Sequence, residues 1–531
     1  MKIKKRQPSN IAVCLIVIMV LGLALRIIGY DWGGNRTIFQ PDEFHIIDQI
    51  RDMVESQSFL HHHWTYPSRC TSQILAWILM LVSKTYYLSW IEYYYVIRIA
   101  YVLFSTFNIW LSYKLVEKCE NPKIALYFSF LVAINPIFIK YAKQAVGDTP
   151  VLMFWLIVAI FVCEYIESSQ IKHLVLMSFF AACALMEKWN GGGITILIAI
   201  VVIYHNLHDL KKLFIHGSIS LFTWIASLFV IEPTLFITWD GTFGAISSAT
   251  DRLGSSLIQE HLIIFFSYVG IGAVILAILG FYYSFICDRS DRKKLVTCIP
   301  GIITIISLVE DWFLCSQVAE RHGLVVYWGC TLFILMGACF LLSLGGAWKT
   351  VSITVLLFAI ILWLLDSAVI NATAVIGKHR DTREVGLTYL KEIGASIENS
   401  TGEPYTPFHP LYADETMEIE DINEILFYDE ENGPCITIPN KRYVIIGQYA
   451  MANRVGDGYK VLHQYGTLIK RFDSDENADL FSTLWSYGKW YYLELDTLRN
   501  VLTALHTIIS AETIGPWIEV YDVSSFTYLE K

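Results

Sequence analysis

TSQILAWILMLVSKTYYLSW, Thr71 to Trp90, is apolar over most of its twenty residues. Whether it crosses a bilayer decides the side on which every later loop emerges. A hydrocarbon core of about 30 Å needs roughly 20 helical residues, so length alone does not settle the matter. The loops do. Further apolar runs lie at 11–29, 94–116, 123–140, 149–167, 174–187, 191–204, 215–237, 262–286, 296–317, 323–344 and 350–371. If 71–90 stays on one face, EKCENPK, ESSQIKH, HNLHDLKK, CDRSDRKK and GGAWK share one side and hold most of the loop lysines and arginines. That side is then cytoplasmic by the positive-inside rule. If 71–90 crosses, the same loops face outward. The first assignment is preferred: eleven crossings, N-terminus in, C-terminus out, with 71–90 flat or re-entrant.

Composition agrees with lipid as the solvent. The chain is 55% hydrophobic with a mean hydropathy of +0.48, and 17% of its residues are charged, against about 25% in soluble domains. MKIKKR followed by Ile11–Gly29 resembles a secretory signal, but the apolar core is long and no small-x-small cleavage site follows. It reads as a retained anchor. Residues 372–531 hold 25 Asp+Glu and 13 Lys+Arg, whereas the rest of the chain is nearly neutral. Two units are therefore expected: a membrane domain at 1–371, with a first outer loop at 31–93, and an acidic domain at 372–531. Nothing is basic enough to hold nucleic acid. Most of the eleven cysteines lie in apolar runs, and the acidic domain has only Cys435. It can hold no internal disulfide; Cys70 in the first loop is the one partner considered.

With the sides assigned, the unusual polar groups gather on the outer face. They are Asp42-Glu43 in "RTIFQPDEFHIIDQIRDM", Asp148 in "YAKQAVGDTPVLMFW", Lys188 in "LMEKWNGGG" and Glu320-Arg321 in "CSQVAERHG". Ionisable groups at a membrane boundary are functional candidates by default. Each also has a plainer reading. Asp42-Glu43 behind Pro41 suits a helix N-terminus, Asp148 before Thr149-Pro150 suits a cap, and Lys188 suits a snorkelling lysine. His61, His62 and His63 read as a wet loop, because consecutive histidines cannot all face one ion. Walker, dinucleotide and HExxH motifs do not occur. Carboxylates with Lys and Arg on one face suit transfer from a lipid phosphate. A carboxylate takes the proton of an acceptor hydroxyl, and the cations stabilise the departing phosphate.

The order of these features resembles the polyprenol-dependent glycosyltransferases of the GT-C fold, near the protein O-mannosyltransferase and lipid A aminoarabinose transferase branch. The resemblance spans about residues 8 to 395. It rests on a first helix ending in Arg26, the Asp42-Glu43 pair, surface helices, "GDTP" at Asp148, the Glu320-Arg321 pair and "DTREVGLTYLKE" after the last crossing. It implies an all-α polytopic membrane domain with interfacial helices and a mixed α/β extracytoplasmic domain. It also implies a polyprenyl-phosphate-linked sugar as donor and a protein, lipid or glycan as acceptor. Asp42 would be the general base of one inverting displacement, with Glu43 and Asp148 shaping the acceptor site or holding a divalent metal. Arg321 and Lys188 would grip the lipid phosphate, with Lys143 and Arg69 as weaker candidates. His45, Tyr66, Glu320 and Asn190 would shape the acceptor side. The branch often has an arginine near the second acid, where this chain has Lys140 and Lys143; lysine cannot make the same bidentate contact.

Two other classes compete. A secondary transporter would use "NGGGI" at Asn190–Ile194 as a broken helix, but there is no internal repeat and the acids sit at one interface. A non-catalytic envelope scaffold would act through its acidic domain. In that domain "CITIPNKRYVIIGQ" and "PWIEVYDV" read as strands, and "GDGYKVLHQYGTLIKRF" as a hairpin with a further strand. Acceptor binding, partner docking and a solubilising cap are all open to it.

Overall fold

The computed structural model describes residues 8–31, 41–59, 70–232, 262, 265, 271–286, 291–314, 320–396, 398–402, 422–447, 456–473, 497–513 and 517–529. Helix α1 (Pro8–Ile27) turns Val13, Ile16, Val17 and Val20 outward, as a lipid-facing helix should. Two shorter helices follow, α2 (Pro41–Glu55) and α3 (Cys70–Ser83), and then the long α4 (Trp90–Cys119).

Both ends of α3 stay at one end of the bundle. At its start, the Thr71 amide and hydroxyl donate to the Glu187 carboxylate at 3.0 and 2.7 Å. At its finish, six residues lead straight into α4. Fourteen residues of helix make about 21 Å at 1.5 Å each, short of the hydrocarbon thickness. Ile46, Ile47, Ile50 and Met53 of α2 pack with Leu75, Ala76, Leu79 and Met80 of α3 against Tyr93, Tyr94 and Ile97 near the start of α4. The outer side of α3 shows Ile74, Trp77, Ile78, Leu81 and Val82. Helix α3 is thus apolar on both its packed and its outer side, and at 14 residues it is shorter than a full span.

The bundle continues with α5 (Pro122–Ile134), α6 (Pro136–Ala142), α7 (Asp148–Ser168) and α8 (Ile171–Glu187). A 3₁₀ turn (Trp189–Gly193) leads into α9 (Ile194–Asn206), followed by α10 (Leu210–Ile231). Then come α11 (Ile271–Ile286), α12 (Asp291–Val309), a π-helical turn (Glu310–Leu314), a 3₁₀ turn (Glu320–Gly323), α13 (Leu324–Leu344) and α14 (Gly346–Arg380). Among the described residues, eight helices are long and apolar enough to cross a bilayer, and the bent α5–α6 pair would make nine. Of the eleven runs expected to cross, α8 and α11, with 17 and 16 residues, fall short of that length. The α5–α6 bend of 57° sits at Asn135-Pro136. Pro136 opens α6 and Asn135 accepts from the Ile137 amide at 3.1 Å, so the chain restarts a helix there. Helices α11 and α13 touch backbone to backbone: a Cβ on Gly280 would lie 1.9 Å from the Phe333 carbonyl oxygen, the close approach that small residues permit in membranes.

Helix α14 runs unbroken through residue 372 to Arg380, where Asp381 caps α15 (Thr382–Glu392). The acidic domain then adds β1 (Ser400–Gly402), α16 (Ile422–Ile425), β2 (Leu426–Asp429), β3 (Gly433–Ile436), β4 (Tyr443–Gly447), α17 (Asp457–Tyr465), β5 (Thr467–Phe472), α18 (Thr497–Ser510), β6 (Ile518–Asp522) and β7 (Thr527–Tyr528). One mixed sheet has the order β1-β4-β6-β5 and a second has β2-β3-β7. Strand alternation sends Val444 and Ile446 toward Tyr459 and Leu462 of α17, and Tyr443 and Ile445 toward Leu387 and Leu390 of α15. The expected hairpin at "GDGYKVLHQY" is instead α17. Tyr459 and Leu462, three apart, are buried on one side, and Asp457 sits in the first turn, so helical spacing wins over alternation. Cys70 and Cys435 are both free. Helix α18 docks on the membrane domain, where Ile508 and Ala511 pack with Val369, Ile370, Ala374 and Ile139.

Candidate active site

A charge buried in a membrane protein must be answered by a partner. In one group every charge is answered fully. Glu43, in the first turn of α2, is 0% exposed. Its Oε2 accepts from Tyr94 Oη and Arg98 Nη2, both at 2.8 Å. Its Oε1 accepts from Arg98 Nε at 3.1 Å and from the Ala145 amide at 2.7 Å. Arg98 also donates to the Tyr30 carbonyl at 3.0 Å.

Beside it, Arg26 repairs the α5–α6 bend. Val132 would normally accept from residue 136, which is proline and has no N–H. Ala133 would accept from Ile137, whose amide is taken by Asn135. Arg26 Nη2 and Nη1 donate to these two carbonyls at 3.1 and 2.9 Å, and its Nε donates to Ser105 Oγ at 2.8 Å. Lys143 does the same service for α1. Its ammonium donates to the carbonyls of Leu25 (3.2 Å), Arg26 (3.0 Å) and Ile28, which a helix end leaves without partners.

The second group begins three residues beyond Ala145. Asp148 opens α7 and is 4% exposed. Lys188 Nζ donates to its Oδ1 at 2.5 Å, and Arg321 Nε lies 3.5 Å from its Oδ2. The two cations keep 21% and 13% side-chain exposure, so each has a face turned to solvent or ligand. Lys188 follows α8 directly, and Arg321 stands in the 3₁₀ turn before α13. The glycines after Lys188 allow this closure. A Cβ on Gly191 would lie 2.0 Å from the Ala184 carbonyl oxygen, and the Gly191 carbonyl accepts from Trp155 Nε1 of α7 at 3.0 Å. "NGGGI" is thus a tight turn that enters α9, with Asn190 at its start.

Of the expected site residues, the fold unites Asp148, Lys188 and Arg321, and Glu43 binds the loop leading to Asp148. Lys143 is only 4% exposed and holds carbonyl oxygens, so it is directed to α1 rather than to a phosphate. Glu43 likewise spends both oxygens on positioning α2. Asp42 and His45 lie in the first turns of α2 and Glu320 in its 3₁₀ turn, but their side chains fall outside the described residues, as do Tyr66, Arg69 and His61–His63. The metal ligands considered, Glu43 and Asp148, do not fit a metal. Each is neutralised by a different set of cations, and no group of three or more His, Cys, Asp or Glu is arranged for one among the described residues.

Three residues were missed. Arg98 lies inside the run 94–116. Glu310 and Asp311 lie inside the run 296–317 and stand on the π-helical turn. Adjacent acids in an apolar run were a readable signal, and π-turns gather at functional sites. Glu310 Oε1 accepts from the Gly193 amide at 3.2 Å. Asp311 is 6% exposed.

Residues 74–237 match the family model described as dolichyl-phosphate-mannose-protein mannosyltransferase. No curated protein matches the sequence. The oligosaccharyltransferase of Archaeoglobus fulgidus in its apo form superposes with a TM-score of 0.52 at 11% identity, over 88% of this chain and 74% of that one. AglB from the same organism, in complex with an inhibitory peptide and a dolichol-phosphate, gives 0.51 at 11% identity over 88% and 74%. ArnT from Cupriavidus metallidurans, bound to undecaprenyl phosphate, gives 0.50 at 12% identity over 87% and 96%. The architecture of this chain is the GT-C fold.

Proposed function

We propose that the chain transfers a sugar, hexose or pentose, from a polyprenyl-phosphate donor to an acceptor hydroxyl at the extracytoplasmic face. The observation that carries this reading is Asp148 sealed between Lys188 and Arg321, with both cations partly open. The fold supports it, since solved proteins that share it hold dolichol-phosphate or undecaprenyl phosphate. The lysine-rich loops support the side, with the N-terminus cytoplasmic and the acidic domain outside.

Asp148 holds the two cations in place, and their remaining N–H groups face the donor phosphate. The acceptor hydroxyl attacks the anomeric carbon while Asp42 takes its proton. The bond from that carbon to the phosphate oxygen breaks, and polyprenyl phosphate leaves with its charge stabilised by Lys188 and Arg321. One displacement inverts the anomeric configuration. Phosphate leaves readily, so no acid partner is needed. Glu43, through Arg98 and Ala145, fixes the turn that carries Asp42 against the loop that carries Asp148. The acceptor is a protein, lipid or glycan of the cell envelope, and the membrane is the plasma or inner membrane.

The test is Asp42→Asn in purified, membrane-inserted chain given lipid-linked sugar. Transfer should drop at least about a hundredfold, the scale of a lost general base, with an unchanged elution profile. Undiminished transfer removes Asp42 from the mechanism.

A further inference from the structure

Beside the cations lie two buried acceptor oxygens. Asp311 Oδ1 and Asn190 Oδ1 are both buried and have no hydrogen-bond partner among the described residues. They stand on two turns that touch, Trp189–Gly193 and Glu310–Leu314. Asn190 follows Lys188 by two residues, in the turn whose Gly193 amide donates to Glu310. Asp311 neighbours Glu310 in sequence, and its Oδ2 would lie 3.4 Å from a Cβ on Gly323, in the turn that carries Arg321. The two 3₁₀ turns that deliver the cations therefore also frame these acceptors. The π-turn carries Asp311 itself, next to Glu310.

Buried acceptors without donors are costly, and native folds retain few of them. A ligand bearing hydroxyl or amino hydrogens would satisfy such oxygens. A phosphate would not, because it brings acceptors of its own. A metal is disfavoured, since these acids form no cluster with ligand geometry among the described residues.

We propose that Asn190 and Asp311, backed by Glu310, form the subsite that recognises the hydroxyl or amino groups of the donor's sugar ring, next to the phosphate grip of Lys188 and Arg321. This rests on the polyprenyl-phosphate reading above and adds to it where selectivity for the sugar resides.

The experiment measures binding to the purified full chain in nanodiscs. The probes are bare undecaprenyl phosphate and undecaprenyl phosphate carrying mannose, glucose, N-acetylglucosamine or a 4-amino pentose. In the wild-type chain at least one sugar should tighten binding over the bare lipid. Asn190→Leu and Asp311→Leu should each cut that gain by about tenfold or more, as expected when a polar site loses its partner. Bare-lipid affinity should change less than twofold. Asp311→Asn, which keeps the shape and one acceptor, should fall in between and guards against misfolding. Arg321→Gln should weaken bare and loaded lipid alike.

The proposal is overturned if no sugar tightens binding, if the gain survives all three Asn190 and Asp311 variants, or if they weaken bare lipid equally. Failure of the wild-type chain to bind any polyprenyl phosphate is a different result. It would sink the transferase reading first and the subsite with it.

Discussion

The two groups of buried charge sit within a few residues of each other in sequence, at Ala145 and Asp148, yet they are built on opposite terms. Around Glu43 both carboxylate oxygens are taken, and the neighbouring Arg26 and Lys143 cap helix carbonyls. Around Asp148 the cations are partly open, and two buried acceptors have no donor among the described residues. A saturated network fixes geometry, because every displacement breaks bonds that water cannot replace. An unsaturated one has capacity left for a ligand. The comparison therefore separates scaffold from site more reliably than residue type does, since both groups contain an acid, an arginine and a lysine.

The contrast breaks most sharply at Glu43. Removing one partner of a buried ion pair leaves the other charge unanswered, which costs about 3–5 kcal/mol. Glu43→Ala should therefore lower the thermal midpoint of the detergent-solubilised chain strongly and reduce the yield of monodisperse protein. A variant as stable as the wild type would mean that Arg98 finds another partner, and the knot would lose its role as scaffold.

Arg321→Gln should show the inverse pattern. Loss of one donor to a developing oxyanion costs about 10²–10³-fold in rate, or roughly 2.7–4 kcal/mol in the transition state. Asp148 keeps Lys188, so the stability loss should be smaller than that of Glu43→Ala. Transfer assays and thermal unfolding of the same preparation measure the two effects together. A large stability loss with intact turnover would move Arg321 into the scaffold.

How much of this the sequence discloses follows from the physics of each part. The membrane helices are legible because lipid demands length and apolarity in one continuous stretch. The expectation that 71–90 does not cross rests on reading the lysine-rich loops as one side of the bilayer. Asp148, Lys188 and Arg321 can be grouped for the same reason: once sides are assigned, they share a face. The knot is not legible. Arg98 reaches Glu43 across 55 residues, and Arg26 and Lys143 bind backbone carbonyls, which carry no sequence signature. Glu310 and Asp311 were readable as acids in an apolar run, but the length of the run hid them. In the acidic domain, "GDGYKVLHQY" opens on turn residues, is followed by Gly466 and shows only a few residues of periodicity. Its helix is decided by packing of Tyr459 and Leu462 on the sheet.

The smallest effect is also the most discriminating. Gly193 has φ −56° and ψ −28°, which any residue adopts, so Gly193→Ala tests contact alone. Its new Cβ would lie 2.4 Å from Glu310 Oε2, the movable end of a side chain. The carboxylate can swing away, at about 1 kcal/mol for the overpacking and roughly 1 kcal/mol more for its lost hydrogen bond to the Gly193 amide. Gly191→Ala is the matched control, because its Cβ would strike the Ala184 carbonyl at 2.0 Å and backbone cannot swing. If Glu310 backs a sugar-reading subsite, Gly193→Ala should keep most of its stability and its affinity for bare undecaprenyl phosphate. It should lose several-fold of the affinity gained from the sugar. Gly191→Ala should instead lose stability first, because it displaces the turn holding Lys188. If Gly193→Ala keeps the full sugar-dependent gain, Glu310 belongs with Glu43 among the positioning acids, and the boundary between scaffold and site moves to Asp311.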